Sequence, residues 1–168
     1  MPDEIVNRVA NSPLITFDLG EFYPDYAIKE LDIAPWRFHS LLLREKEFRA
    51  HVKAHNWEQY RNCGVAIYCS ADAIIPHWAY MLIAAELQGI AREFSVGSVE
   101  DLVTQAFRKA FDQHTFNQYE GKPVVVKGCG DKEVSAAVYA EVAARLLAHV
   151  KVLSFGEACS TVPIAKKK

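Results

Sequence analysis

A chain of 168 residues is room for about one domain, and at this size it buries roughly two thirds of its unfolded surface without staples. Apolar residues make up 51% and charged residues 24%, which excludes a disordered or collagen-like chain. The net charge of −2 gives no bulk attraction to nucleic acid. The opening Met-Pro-Asp-Glu-Ile-Val-Asn-Arg has no basic stretch followed by an apolar one and does not read as a secretory signal. The longest apolar stretch, Trp78 to Ala85, ends at Glu86 and is too short for a bilayer. The expected address is the cytoplasm, where structural disulfides are rare. Cys63, Cys69, Cys129 and Cys159 therefore read as buried thiols, metal ligands or reactive groups. No two of them have C-x-x-C spacing. The run Lys166-Lys167-Lys168 reads as a solvated end.

Leu14 to Leu19 alternates weakly, as a strand does, and Glu21 to Asp25 reads as a loop. Asp32 to Trp36 is an extended or turn segment, because Pro35 disfavours a helical Ala34. A helix is expected from about Arg37 to His55, with Leu41, Leu42, Phe48 and Val52 on its apolar face. Val65 to Cys69 is a short apolar strand, followed by a turn and a helix from Pro76 to about Arg92. Glu93 to Val96 is a second strand. Ser98 caps a helix from Val99 to about His114. Val124 to Lys127 is a third strand, Ser135 to His149 a helix, and Lys151 to Phe155 a final strand. Strands alternating with helices predict a mainly parallel sheet.

The segment Val65–Gly97 slides onto Val124–Gly156 without a gap, at an offset of 59 and with eight identical pairs. Chance gives about two. Tyr80, Ala84 and Leu87 form one helical stripe, repeated by Tyr139, Ala143 and Leu146. Asp72 and Asp131 each fall between a strand and a helix. Duplication accounts for this, and so does convergence on what any βαβ unit requires. The fold expected is one α/β domain over residues 1–168. Its mostly parallel sheet of about four or five strands comes from two similar βαβ units, 65–97 and 124–156, with helices packed on it. Residues 1–60 form an N-terminal helical addition.

If the three strands share one sheet and one direction, Cys69, Cys129 and Cys159 leave from the same edge, where open α/β sheets bind ligands. Clustered thiolates hold zinc or an iron–sulfur cluster, and Asp72 is the candidate fourth ligand. Helix N-termini beside Cys69 and Cys129 would lower their pKa. Against this, free cysteine is commonly a small buried hydrophobe. His77 is a poorer ligand, and His51 and His55, in HVKAH, lack the central Glu of a metalloprotease helix and read as a solvated face. No G-x-S-x-G elbow or P-loop is present.

The strings Cys69-Ser-Ala-Asp-Ala-Ile-Ile-Pro76, Trp78-Ala-Tyr-Met81, Val126-Lys-Gly-Cys129 and Phe155-Gly-Glu-Ala-Cys-Ser-Thr-Val-Pro163 resemble the bacterial domain-of-unknown-function family 2480. Glu4-Ile-Val-Asn-Arg-Val-Ala10 and Leu43-Arg-Glu-Lys46 extend the resemblance over nearly the whole chain. It implies a cytoplasmic role touching iron, sulfur or thiol redox, beside iron–sulfur cluster assembly proteins, and assigns no catalytic residue. It also implies a smaller polar residue where His77 stands.

Three functions follow as expectations. The first is a thiolate site of Cys69, Cys129, Cys159 and Asp72, binding zinc or an iron–sulfur cluster as an accessory of cluster assembly. The second is an enzyme or sulfur carrier with one nucleophilic cysteine, Cys69 or Cys129. The third is a non-catalytic partner-binding module with structural thiols, associating as a homodimer. Neither nucleic acid nor membrane is an expected partner.

Overall fold

The computed structural model describes residues 13–36 and 43–167. Residues 1–12 of the expected N-terminal addition, the first part of the helix expected from Arg37 with Leu41 and Leu42, and Lys168 lie outside the described residues. The chain divides into two compact units, a central one of Pro24–Ala106 and a flanking one of Met1–Tyr23 with Phe107–Lys168.

The central unit carries β2 (Ile28–Asp32), β3 (Gly64–Tyr68) and β4 (Glu93–Val96), a parallel sheet in the order β2-β3-β4. Gly64 to Ile67 is buried throughout, the run expected of a parallel strand covered on both faces. Helix α1 (Glu45–Ala54) buries Phe48 and Val52, and α2 (His77–Leu87) buries Ala79, Ile83 and Leu87. These join Leu31, Ile33, Trp57, Tyr60, Val65 and Ile67 in one core. The Trp57 indole N–H donates to the Val52 carbonyl at 2.8 Å, which satisfies the polar end of that buried ring. Gly64 is required by contact: a Cβ there would lie 2.6 Å from the Tyr26 ring. The Tyr26 hydroxyl donates to the buried Glu93 carboxylate at 2.7 Å, and Gln105 donates to the same carboxylate at 2.9 Å. Gln105 also donates to the Phe94 carbonyl at 3.1 Å, so a side chain supplies a partner to the outermost strand of this sheet.

The flanking unit holds β1 (Ile15–Asp18), β5 (Pro123–Lys127), β6 (Val152–Glu157) and β7 (Ser160–Lys166), in the order β1-β5-β6-β7. The first three are parallel. β7 turns back antiparallel on β6, with a register shift at Leu153/Ser154. Helix α4 (Ala136–Leu147) buries Val138, Val142 and Leu146, a stripe four residues apart. Phe17 stacks on Phe22 at 4.8 Å and on Phe116 at 5.8 Å, with Phe111 tilted or edge-on to these rings.

The boundary between the units falls inside α3 (Val99–Gln113). Ser98 caps this helix as expected. Its hydroxyl accepts the Asp101 N–H at 3.1 Å, while the Asp101 carboxylate accepts the Ser98 N–H at 2.7 Å and O–H at 2.8 Å. These bonds hold the Asp101 carboxyl below its usual range.

The mixed α/β class and the mostly parallel pairing agree with the sequence, but the expected arrangement needs three corrections. The strands occupy two sheets rather than one. The N-terminal region is not a helical addition, because it supplies β1 and β2, one strand to each sheet. β7 was not expected at all. Seven residues with a central Pro163 and almost no burial give none of the apolar signal that marks a strand covered on both faces.

Candidate functional site

A group of charged side chains gathers at the C-terminal ends of β1, β5 and β6 in the flanking unit. Lys127 ends β5 with its ammonium 3.6 Å from Asp18 and 3.9 Å from Glu157. Asp18 also accepts the Gly20 N–H at 2.8 Å, which turns the chain out of β1. Cys129 follows in the loop after β5, and Cys159 lies in the tight turn between β6 and β7. Burial, helped by Asp18 and opposed by Lys132, pushes the Cys129 thiol up rather than down. That is the opposite of the helix-terminus activation expected for it. The Lys132 ammonium sits over the Tyr23 ring at 4.4 Å.

Cys69 belongs to the central unit, just past β3, where its thiol donates to the Ala71 carbonyl at 3.5 Å. The premise of one common sheet edge for three sulfurs therefore fails: β3 lies in one sheet, and β5 and β6 in the other. Cys129 and Cys159 do leave from neighbouring strands. Asp72 and His77 are exposed. Among the described residues, no group of three or more His, Cys, Asp or Glu is placed to hold a metal ion. Cys63, just before β3, is buried and donates to the Arg61 carbonyl at 3.5 Å. Cys159 is exposed.

Next to this rim, a cleft of about 260 Å³ opens between α4 and the β6–β7 hairpin. Val126, Tyr139, Val142, Leu153, Phe155 and Ile164 line it, and its walls are almost wholly apolar. Tyr139 stands at one side, its ring edge-on to Phe155 at 5.7 Å. A Cβ on Gly128 would lie 3.1 Å from the Tyr139 hydroxyl, so this glycine lets the loop pass close to the ring. Burial, with a smaller push from Cys129, raises the Tyr139 pKa. Around the cleft, three large apolar side chains face water: Phe155 at 40% exposure, Val162 at 60% and Ile164 at 52%. Val162 pairs with Phe155 across the hairpin, so the two share a face.

Each unit also holds a polar cluster in an aromatic setting. In the central unit the His55 Nε2 lies 3.2 Å from the Tyr60 hydroxyl and 3.1 Å from the Gln59 amide nitrogen. Trp36 and Trp57 approach the same ring at 5.0 and 4.8 Å. In the flanking unit the His114 Nε2 lies 2.9 Å from the Tyr119 hydroxyl and 3.2 Å from the Gln118 amide nitrogen. Phe22 and Phe116 each meet that ring edge-on at 5.0 Å. Burial lowers the pKa of both histidines. His55 is thus half-buried, a correction to the solvated helix face expected of HVKAH, although its neighbour His51 is exposed. A sequence signal existed. His55/His114, Gln59/Gln118 and Tyr60/Tyr119 keep the offset of 59, just upstream of the segments compared.

The model of a family described as a protein of unknown function (DUF2480) matches residues 3–167. No curated protein matches the chain, and no solved structure does. No helix among the described residues is long and apolar enough to cross a membrane.

Proposed function

The chain belongs to the family of proteins of unknown function DUF2480, and from that premise we propose that it is a non-catalytic partner-binding module with structural thiols, whose partner is a second copy of itself. The observation that carries this reading is the apolar cleft bordered by exposed Phe155, Val162 and Ile164. Surface apolar residues are ordinary when scattered, but a contiguous group beside an apolar cleft is typical of an interaction surface. Pro163 blunts β7 as a template for adding another strand, so docking uses the face of the hairpin rather than its edge. Closed two-fold dimers are the commonest oligomers, and a single self-complementary face suffices for one. The raised thiol of Cys129 and the buried setting of Cys63 support structural roles. A setting beside iron–sulfur cluster assembly rests on the family resemblance alone and adds no residue to this surface.

Sedimentation equilibrium over a wide concentration range tests the reading. The wild-type chain is expected to dimerise, and the double variant Val162→Glu with Ile164→Glu to remain a folded monomer by circular dichroism. A wild-type chain that stays monomeric at several hundred micromolar rules out self-association. A dimer that survives the double variant rules out this face.

We further propose that the two units descend from one duplicated strand–helix–strand element. Beyond the sequence match, supporting pairs are the two His-Gln-Tyr clusters, the left-handed Asn62 and Gly121 at φ 59° and 69°, and Gly97 and Gly156 at φ 131° and 125°. The hydrogen bonds from Asn62 to Ile90 and from Gly121 to His149, both 3.0 Å, also keep the offset. Shared descent accounts for these matching backbone conformations at matching positions.

A further inference from the structure

The His-Gln-Tyr clusters join the end of a helix to the turn that feeds the next strand. His55 is the residue at which α1 stops, and a 3-10 turn over Trp57–Tyr60 leads through left-handed Asn62 into β3. His114 follows α3, and a 3-10 turn over Phe116–Tyr119 leads through left-handed Gly121 into β5. Each imidazole bonds from the helix end to the side chains of the turn.

Hydrogen-bond polarity shows which form of the imidazole fits. The Gln59 amide nitrogen donates to the Asn56 carbonyl at 2.9 Å, which fixes which end of the amide carries nitrogen. Its other N–H faces the His55 Nε2 at 3.1 Å, so that nitrogen must accept. The proton of the neutral ring is therefore on Nδ1. Protonating Nε2 would set an N–H against an amide N–H, and the Tyr60 hydroxyl would have to reverse from donor to acceptor. At the equivalent positions of the flanking unit, the Gln118 amide and the Tyr119 hydroxyl stand 3.2 and 2.9 Å from the His114 Nε2. Aromatic rings around each imidazole remove part of the water that would solvate a charge.

We propose that His55 and His114 form a paired acid latch: protonation reverses the bonding that ties each helix end to its turn, and both units loosen together in mildly acidic solution. Charges near each ring do not offset this equally. Glu21, from the turn after β1, faces His114 and favours its charged form. The Arg145 guanidinium from α4 lies over the Phe111 and Phe116 rings at 5.8 and 5.9 Å and is itself paired with Asp112 and Glu141. Near His55, Lys29 from β2 bonds the Gln59 carbonyl at 2.7 Å, and the exposed His51 ring stacks on Trp36 at 6.2 Å. No carboxylate among the described residues makes a hydrogen bond or ion pair with either ring. His55, which no carboxylate among the described residues faces, is expected to hold its proton less tightly than His114.

The sign of the effect follows from linkage. A histidine whose folded pKa lies below its unfolded value of about 6.5 leaves stability intact above that pH and reduces it as pH falls through the unfolded pKa. Each histidine raises the unfolding equilibrium constant by up to about tenfold per pH unit inside its window, so the two together give up to about a hundredfold. The test is urea unfolding of the full chain between pH 8 and pH 5, beside the single variants His55→Gln and His114→Gln. The wild type is expected to take up more protons on unfolding toward the low end than either variant. Should a variant fail to fold, proton NMR of the wild-type imidazoles gives the same answer, with two rings titrating below the ordinary histidine value. Rings that titrate at or above that value, or proton uptake unchanged in both variants, would overturn the latch.

Discussion

Gly156 sits in β6 next to the mouth of the β6–β7 hairpin with φ at 125°, a conformation that side chains rarely adopt. A Cβ there would stand 2.6 Å from the backbone carbonyl oxygen of Ser160 on the facing strand. That atom is main chain, paired in the hairpin, and cannot swing aside as a side chain does. Gly156→Ala therefore carries two costs. The strained dihedral costs about 1–3 kcal/mol, and the clash requires the two strands to part. The expected loss is about 3 kcal/mol or more. Gly121→Ala is the matched control. Its φ is 69°, also left-handed, but nothing lies within 4 Å of a Cβ placed there. Only the dihedral term of about 1–2 kcal/mol applies. The assay is urea denaturation of both variants at pH 7.5, with m-values checked against wild type. At the size of this chain the Gly156 variant should also melt roughly 6–12 °C lower. Equal losses in the two variants would refute the reasoning, because the hairpin carbonyl would then contribute nothing.

The remaining predictions concern the thiols and the helix cap. Titration with a thiol reagent at pH 8 should modify Cys159 first, Cys129 more slowly than a free thiol, and Cys63 only on unfolding. A Cys129 that reacts fastest would revive the nucleophile reading. Ser98→Ala should cost about 0.5–2 kcal/mol by chemical denaturation through loss of the α3 cap. It should also bring the Asp101 carboxyl back up toward its usual range, measured by carbon NMR. The carboxyl sits low in the folded state, so the stability it lends is present above the unfolded pKa and fades as pH falls through the folded one. An Asp101 titration unaltered in the variant would contradict the bond pattern at the cap.

Sequence alone determined most of the local structure. Runs such as Val65–Tyr68 and Val124–Lys127, and the stripe of Val138, Val142 and Leu146, are driven by burial, and burial leaves a periodic trace in the residues themselves. The cap at Ser98 was legible for a similar reason, since its chemistry spans three residues. The partition into two sheets was not legible. Which strands become neighbours depends on β1 and β2, short segments whose pairing with β5 and β3 joins residues far apart in the chain. A contact of that range leaves no mark on either segment taken singly. The same gap undid the premise of one edge for three thiols. Cys69, Cys129 and Cys159 each fall at or after the end of a strand, as the sequence indicates, but a common edge is a property of the sheet, and only the tertiary pairing decides it. The aromatic burial of His55 and His114 was decided there too. An imidazole on a polar-looking helix end reads as solvated until the rings of Trp36 or Phe22, brought in from a distant segment, close over it.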